Sequence, residues 1–159
     1  MSQQGKTILK WWGSALDRET AQGRGLSARL RRATPVEMLC EPRVHELARE
    51  LRMEDADRLV RLVTLLAEVR EHVARPLAKE LGGGDPRPFS ELRFQKLMRA
   101  SGDELVGSLR RAIKMVGHRC NVAALGEDLI FWSEQTRMTW CFHYFGAEAP
   151  KSISEESIE

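Results

Sequence analysis

The chain has 159 residues, of which 42% are apolar, 30% are charged and 6% are aromatic. This length suits one domain or two small ones, and it is enough to bury a core. The longest apolar runs fall far short of the roughly 20 residues that cross a membrane, and no apolar signal segment follows Met1, so we expect a cytoplasmic protein with no membrane partner. Its three cysteines are widely spaced and form no C-x-x-C pair, which argues against a zinc-finger framework and for a reducing compartment.

The net charge of +2 conceals four blocks of alternating sign. Residues 1–39 hold seven basic and three acidic residues, and residues 86–119 hold eight and three. Residues 40–85 hold eight basic and ten acidic residues, and residues 120–159 hold two and seven. Arginine supplies 19 of the 25 basic residues. Because the guanidinium fork suits phosphate, this pattern favours a surface that meets a polyanion.

Apolar residues recur with a helical period along the chain, and no strand-like alternation is sustained, which predicts an all-α fold without a sheet. In the first half the predicted helices are about Lys6 to Arg18, Ser27 to Ala33, a segment beginning at Pro42, and a long helix from about Ala56 to Leu81. Gly23 and Gly25 are expected to separate the first two helices. The long helix is apolar around most of its circumference, so we expect it at the centre of a bundle.

The segment GGGDPRP, Gly82 to Pro88, is the clearest interruption of the helical pattern. We therefore predict two small helical bundles, residues 1–81 and 89–146, joined by a Gly/Pro-rich linker at 82–88. In the second bundle the predicted helix boundaries are Ser90, a capping box of Ser101 and Glu104, Asn121, Ser133 and a closing Gly146. Residues 147–159 are rich in Pro, Ser and Glu without an apolar period, and we expect a disordered acidic tail.

Two consecutive helices of the second bundle have one apolar and one cationic face. At 100° per residue, the segment ELRFQKLMRA places Phe94, Leu97 and Met98 on one arc. The opposite arc, and the polar face of the next helix, carry basic residues without acidic partners one turn away on the same helix: Arg93, Lys96, Arg99, Arg110, Arg111 and Lys114. A solvated face usually mixes both signs, so the pattern favours phosphate binding, with simple solvation as the alternative.

A second basic cluster lies between Gly23 and Ala33. It contains no acid, and its basic residues are Arg24, Arg29, Arg31 and Arg32. The alternative interpretation is a charged loop edge. No aromatic residue lies on the cationic faces here or in the second bundle, so we expect contact with a nucleic-acid backbone, without choice of sequence, rather than base stacking.

No residue pattern indicates catalysis, a metal site or a cofactor. The GKT of residues 5–7 resembles the end of a phosphate-binding loop, but the first glycine and the leading strand are missing. His118 and Cys120 form a single H-x-C pair, which is too little for a metal site. Trp11 is a candidate for a partly exposed contact residue. The other three tryptophans lie on or near apolar helix faces and are expected in the core: Trp12, Trp132 and Trp140.

Several short motifs occur in the order and spacing of a known family. They are ILKWWGSAL, LSARLRRA, ELRFQKLMRA, ELVGSLRRAIKMV, NVAALGEDLIFW and the closing Trp140, Tyr144, Phe145 and Gly146. In these motifs the chain resembles the CasB family, the small subunit of type I-E CRISPR surveillance complexes (Cascade). The stretch from Met38 to Gly84 and the acidic tail match no motif of that family.

This resemblance implies an all-helical protein of two bundles without enzymatic activity. It also implies assembly with other Cascade subunits, as two copies, along the path of guide RNA and target DNA, where the family helps to hold the displaced strand. Matched residue by residue, the implied nucleic-acid-binding positions are Arg31, Arg32, Arg93, Lys96, Arg99, Arg110, Arg111 and Lys114. We add Arg29 from the first basic cluster.

The leading hypothesis is a non-catalytic nucleic-acid-binding subunit of an RNA-guided antiviral complex that stabilises the R-loop. In such complexes base pairing reads the sequence and protein holds the backbone. The alternative is a helical protein–protein adaptor whose arginine-rich faces bind acidic partners, and salt-dependent binding to single strands distinguishes the two. A small helical enzyme is disfavoured, because no titratable residues converge in the sequence pattern.

Overall fold

A computed structural model describes residues 1–153. Its regular elements are α1 Gln3–Ala15, α2 Ala21–Arg32, α3 Pro35–Leu39, α4 Pro42–Leu51, α5 Ala56–Leu66, β1 Glu71–His72, α6 Leu77–Gly82, α7 Glu91–Arg99, α8 Gly102–Met115, β2 Arg119–Cys120, α9 Val122–Ile130 and α10 Glu134–Tyr144. The two strands pair in parallel over two residues each, and the fold is otherwise helical, which confirms the all-α prediction. No helix in the described range is long and apolar enough to cross a membrane.

The chain divides into two compact units, of which unit 1 comprises residues 1–70 and 122–130. Here α9 packs against α1 and α5, and α1 packs against α4 and α2. The approach of α9 to α1 depends on Gly126, because a Cβ at that position would lie 2.7 Å from the side chain of Ile8. Real Cβ atoms do not come that close in a densely packed interior, so any larger residue would push the two helices apart.

Unit 2 comprises residues 71–121 and the described residues from Phe131 onward. In it α6 packs against α10 and α8, and α8 packs against α7. A Cβ on Gly82 would lie 1.8 Å from the carbonyl oxygen of Tyr144, so glycine permits the contact between α6 and α10. The ring of Tyr144 stacks on Phe94 with 4.1 Å between centroids, and its hydroxyl donates to the carbonyl of Phe89 at 2.5 Å. These contacts fix the start of α7 against the core.

The long helix predicted from Ala56 to Leu81 is wrong. α5 ends at Leu66, the chain then passes through β1, and α6 begins only at Leu77. Pro76 has no N–H to donate and disfavours a helical conformation at Arg75, and the intervening backbone pairs with β2 instead. The apolar residues that appear to surround one helix therefore belong to two helices, each buried within its own unit.

The helix break predicted at Gly23 and Gly25 is also wrong. Both glycines lie inside α2, whose N-cap is Thr20, and the Thr20 hydroxyl accepts from the N–H of Gly23 at 3.0 Å. A Cβ on Gly23 would lie 1.9 Å from the carbonyl oxygen of Asp17, so this glycine allows a close approach. Ser27, where the predicted second helix begins, is buried in the middle of α2.

The two units differ in extent from the two predicted bundles. Residues 71–81 belong to unit 2, and α9 belongs to unit 1. The segment predicted as a linker lies within unit 2, where Arg87 donates to the carbonyl of Gly82 at 3.3 Å, pairs with Glu91 at 2.5 Å and precedes the buried Phe89. Glycine and proline mark a turn of the backbone, and a turn occurs within a unit as readily as between units.

The helix ends in the second half follow most of the predicted caps. The side chains of Ser90 and Ser133 each accept from the N–H three residues ahead, at 3.2 Å and 3.1 Å. Gly146 follows α10 with a φ of 82°, a left-handed conformation that favours glycine. The capping box at Ser101 is not formed, since its side chain makes no cap hydrogen bond.

The start of the predicted acidic tail lies against unit 2. Ile153 is buried, and Glu148 pairs with Lys79 of α6. Residues 147–153 therefore differ from the disorder predicted for them, because an apolar anchor and an ion pair attach them. Residues 154–159 of the predicted tail lie outside the described residues.

The tryptophans contribute mainly to packing. Trp140 is 2% exposed and meets Trp132 edge to face, with 4.9 Å between ring centroids, as expected for the core. Trp11, predicted as a candidate contact residue, is instead buried, and its indole N–H donates to the carbonyl of Arg43 at 2.8 Å.

Candidate nucleic-acid interface

Helices α7 and α8 form a cleft of about 430 Å³, called here the α7–α8 cleft. It follows from helical periodicity, because α7 buries Phe94 and Leu97 while α8 buries Leu109 and Ala112. Polar positions between these apolar ones are directed away from the core on both helices. The residues that line the cleft are Phe89, Arg93, Lys96, Ser108, Arg111, Lys114 and Met115.

The lining of the α7–α8 cleft contains four cations and no acidic residue. All four basic side chains are exposed: Arg93, Lys96, Arg111 and Lys114. Within residues 1–153, none of them forms an ion pair with an acidic side chain. Like charges gathered without counter-charges create a positive potential, which attracts anions such as phosphate. Sequence analysis predicted all four of these residues, and the fold brings them together.

Two cations predicted on the same faces do not line the α7–α8 cleft. Arg99 is exposed at the last position of α7, and Arg110 is half-buried on α8. Since neighbouring positions on a helix differ by about 100°, Arg110 and Arg111 are directed to different sides of α8. The convergent set is therefore smaller than the predicted set.

In unit 1 the predicted site residue Arg29 is paired with an acid. Its Nε donates to Oε1 of Glu41 at 2.7 Å, and its Nη2 donates to Oε2 at 3.3 Å. The hydrogen bond to Glu41 raises the pKa of Arg29. A nearby depression is lined by both signs of charge, from Arg29, Arg32, Glu37 and Glu41. The fold thus supplies acids to a cluster that has none in the local sequence.

Arg31, a second predicted site residue, is half-buried and lies among charges of both signs. Burial lowers the pKa of Arg31, the charge of Glu68 raises it, and the positive charges of Arg70, Arg18 and Arg32 lower it. Glu68 is only 1% exposed. A buried carboxylate requires a counter-charge, so Arg31 acts at least partly within the fold of unit 1. Arg32 is exposed at the end of α2.

Arg18 and Arg70 belong to this basic region, although sequence analysis did not select them. Arg18 follows α1, Arg70 follows α5, and both are exposed. Their positive charges lower the pKa of Arg31. Nη1 of Arg24 donates to the carbonyl of Arg18 at 2.9 Å. Arg70 lies 38 residues beyond Arg32, so no local pattern could have identified it, and Arg18, six residues before Arg24, falls in the predicted first helix rather than in the α2 cluster.

The described residues offer little for metal or nucleophilic chemistry. Among them, no three side chains of His, Cys, Asp or Glu come together to hold a metal ion. Burial, with a smaller effect from Glu80, raises the pKa of the Cys120 thiol to about 12. A thiol of that pKa stays protonated near neutral pH and is a poor nucleophile.

Comparisons with known proteins place these features in a family. Residues 26–145 match the family model described as CRISPR-associated protein Cse2. The CRISPR-associated protein Cse2 of Thermus thermophilus is 29% identical over 109 residues, which cover 66% of this chain and 64% of that protein. The match therefore spans slightly less than two thirds of the relative's length.

A solved structure has the same fold. It is a chain of the crystal structure of E. coli Cascade bound to a PAM-containing double-stranded DNA target, with a TM-score of 0.64 and 20% identity. The superposition covers 87% of this chain and 92% of that chain. The family model covers most of the sequence and includes the α7–α8 cleft and the arginines of α2 from Arg29 on. The motif-based resemblance is confirmed at the level of the family: this chain belongs to the CRISPR-associated Cse2 family.

Proposed function

We propose that this chain is a non-catalytic, nucleic-acid-binding small subunit of an RNA-guided CRISPR complex. The observation that carries the proposal is the α7–α8 cleft, where four cations converge without an acid. Membership of the Cse2 family supports it, and so does the fold shared with a chain of Cascade bound to double-stranded DNA. The polyanions that we propose as ligands are guide RNA and target DNA, including the displaced strand of the R-loop.

The α7–α8 cleft suits the phosphate backbone for simple electrostatic reasons. Each basic side chain that neutralises a phosphate releases condensed counterions, so binding gains free energy at low salt and loses it at high salt. Phosphate contacts position a strand without reading its sequence. In an RNA-guided complex this is sufficient, because base pairing with the guide supplies the sequence choice.

The proposed binding residues fall into two groups. The first group lines the α7–α8 cleft and consists of Arg93, Lys96, Arg111 and Lys114. The second group lies outside the α7–α8 cleft. In unit 1 its members are less available to a phosphate, because Arg29 is paired with an acid and Arg31 is half-buried. The group consists of Arg29, Arg31, Arg32, Arg99 and Arg110. We expect the first group to contribute most of the salt-dependent affinity.

A face of α10 supports the proposal that the chain also contacts protein subunits, either other members of the complex or a second copy of itself. Met138 and Phe142 are exposed at i and i+4, which places them on one side of the helix, and Phe145 is exposed at its C-cap. Exposed apolar patches commonly mark protein–protein contacts. Protein contact through this face fits the adaptor alternative as well, so it is the α7–α8 cleft that favours a subunit binding both protein and nucleic acid.

The absence of catalysis is part of the proposal. The lining of the α7–α8 cleft contains one hydroxyl, from Ser108, and no carboxylate, imidazole or thiol. Hydrolysis of a phosphodiester commonly uses bound metal ions or a general base beside the reacting phosphate. We therefore expect purified protein to leave nucleic acid intact, with or without divalent metal.

A salt titration tests the proposed function. The variant replaces all four cations of the α7–α8 cleft with alanine, and binding to a single strand is measured from low to high salt. Each lost phosphate contact should flatten the slope of log K against log salt by about 0.7, so the total change should approach ~2.8. The loss should be similar for unrelated sequences, because phosphate contacts carry no sequence information.

A control variant separates the cleft from net charge. It replaces Lys6, Lys10, Arg49 and Lys151, which are exposed and lie outside the cleft, and it changes the net charge by the same amount. Melting curves verify that both variants fold. If both variants flatten the slope equally, general charge and not the cleft determines binding. If the cleft variant binds as the wild type does, the adaptor function is favoured instead.

A further inference from the structure

We propose that the α7–α8 cleft takes up one unstacked nucleotide of a bound single strand, with its base against Met115 and the guanidinium of Arg93 and its phosphates on the surrounding cations. This inference rests on the proposed function and names the ligand more closely. It differs from the expectation of pure backbone contact, which the sequence supported because no aromatic residue lies on the cationic helix faces.

The cleft has an apolar part that phosphate binding alone does not require. Phe89 immediately precedes the cap of α7 and is only 2% exposed, so it offers almost no surface to a ligand. Met115 is the last residue of α8, directly after Lys114, and supplies the accessible apolar surface. The fold places both in the same lining as the four basic side chains. Met115 is 41% exposed, which is high for a large apolar side chain beside a concave surface. We expect the flat, apolar face of a base to pack against the exposed Met115 side chain.

The apolar part is held in place by contacts that do not involve a ligand. The N–H of Phe89 donates to the carbonyl of Leu81 at 3.2 Å, and its carbonyl accepts from the hydroxyl of Tyr144 at 2.5 Å. Nη1 of Arg93 lies 3.4 Å from the sulfur of Met115, which joins the two helices across the cleft. A guanidinium beside an apolar surface is a stacking partner for bases in single-strand-binding proteins.

The dimensions and polar groups also fit a nucleotide. Sites for small ligands usually measure about 300–1,000 Å³, and the α7–α8 cleft measures about 430 Å³. Ser108 supplies the single neutral polar side chain in the lining, so we expect little discrimination among bases. A base within a duplex must be unpaired and unstacked before it can enter, which requires a few kcal/mol. The cleft should therefore prefer single strands to duplexes.

The test compares two oligonucleotides of equal length and charge, one with all its bases and one with abasic residues throughout. Stacking of a base on an aromatic side chain is worth a factor of roughly five to 150 in single-strand binders, and we expect the surface of Met115 and Arg93 to reach the low end of that range. We expect the wild type to bind the strand with bases at least about fivefold more tightly. Met115→Ala should remove this preference and leave the salt slope unchanged, and Met115→Leu should restore most of it.

Leu92→Ala provides the matched control. Leu92 is an apolar residue of α7, 63% exposed, that does not line the cleft, so its removal should leave the preference for bases intact. Equal wild-type affinity for both oligonucleotides, with a normal salt slope, would overturn the base site and leave the proposed function standing. Loss of salt-dependent binding to both would overturn the proposed function itself. Adenosine monophosphate that binds as tightly as the strand would assign the cleft to a free nucleotide and overturn the strand-bound proposal.

Discussion

The arginine-rich helix α2 of unit 1 and the helices α7 and α8 of unit 2 carry similar runs of basic residues, but the fold surrounds them differently. Arg29 is paired with Glu41, and Arg31 lies near the buried Glu68. The four cations of the α7–α8 cleft meet no acid among the described residues. The α2 cluster is therefore partly neutralised by acids of the protein itself, whereas the four cations of the α7–α8 cleft are available to a ligand.

The difference shows how a basic cluster becomes a binding site. A cation that already has a carboxylate partner must give up that hydrogen bond to reach a phosphate, so its net contribution is small. A cation without a partner gains the whole interaction. Proximity of like charges, as in the cleft, adds to the gain because a bound anion relieves their repulsion. We therefore expect unit 2 to contribute most of the affinity and the α2 cluster to contribute less.

The largest expected effect concerns the core that supports the cleft. Trp140→Ala should lower the free energy of unfolding by about 3–5 kcal/mol, the usual range for a buried large aromatic side chain. Trp140 is 2% exposed and packs on Trp132 within unit 2. Denaturant titration measures the change. Met138→Ala, on the same helix but 42% exposed, should change the stability by less than about 1 kcal/mol. Similar values for the two variants would show that α10 does not depend on Trp140.

Much of the fold could be predicted from the sequence because helical periodicity and caps are local. The apolar faces of α7 and α8 and the caps at Ser90 and Ser133 needed only positions within a few residues of each other. The prediction of one long helix from Ala56 to Leu81 was wrong for the same reason. Two buried helices, each packed in its own unit, produce the same apolar pattern as one central helix, and only Pro76 hinted at the division.

The site could be predicted in part. Outward-directed cations on α7 and α8 follow from periodicity, so Arg93, Lys96, Arg111 and Lys114 were identified. The acids that neutralise the α2 cluster were not, since Glu41 and Glu68 lie 12 and 37 residues from Arg29 and Arg31 in the sequence. Phe89 was missed because it lies between the predicted linker and the cap of α7, outside the helical pattern that identified the cations. Contacts at such separations depend on tertiary packing and leave no local pattern.

The second largest expected effect comes from comparing one arginine of α2 with one arginine of the α7–α8 cleft. Arg31→Met should lower the free energy of unfolding by about 1–3 kcal/mol, because it leaves the buried charge of Glu68 without this counter-charge. Arg111→Met should change it by no more than about 0.5 kcal/mol, since the side chain is exposed. Binding should show the reverse order, with a loss of about 0.7 in salt slope for Arg111→Met and less for Arg31→Met.

Denaturant and salt titrations of the same two proteins measure both quantities. The double variant Arg31→Met, Glu68→Met should recover stability, because replacing both partners by apolar groups removes the buried charge. If Arg31→Met is as stable as the wild type and loses a full 0.7 in slope, Arg31 is a phosphate ligand like Arg111. The contrast between the two regions would then be wrong.

The smallest expected effect is a gain of binding in unit 1. Glu41→Gln removes the carboxylate that accepts from Arg29, so the guanidinium becomes available to a phosphate. The salt slope should then steepen by up to about 0.7. Glu41 is the N-cap residue of α4 but its side chain makes no cap hydrogen bond, so the helix should not lose stability by this route. Glu50→Gln makes the same change in net charge at an exposed position without an ion pair to Arg29 and should leave the slope unchanged. Parallel titrations of both variants separate the release of one arginine from the general gain of positive charge. An unchanged slope for Glu41→Gln would mean that pairing is not what limits Arg29, and that the α2 surface lies away from the bound strand.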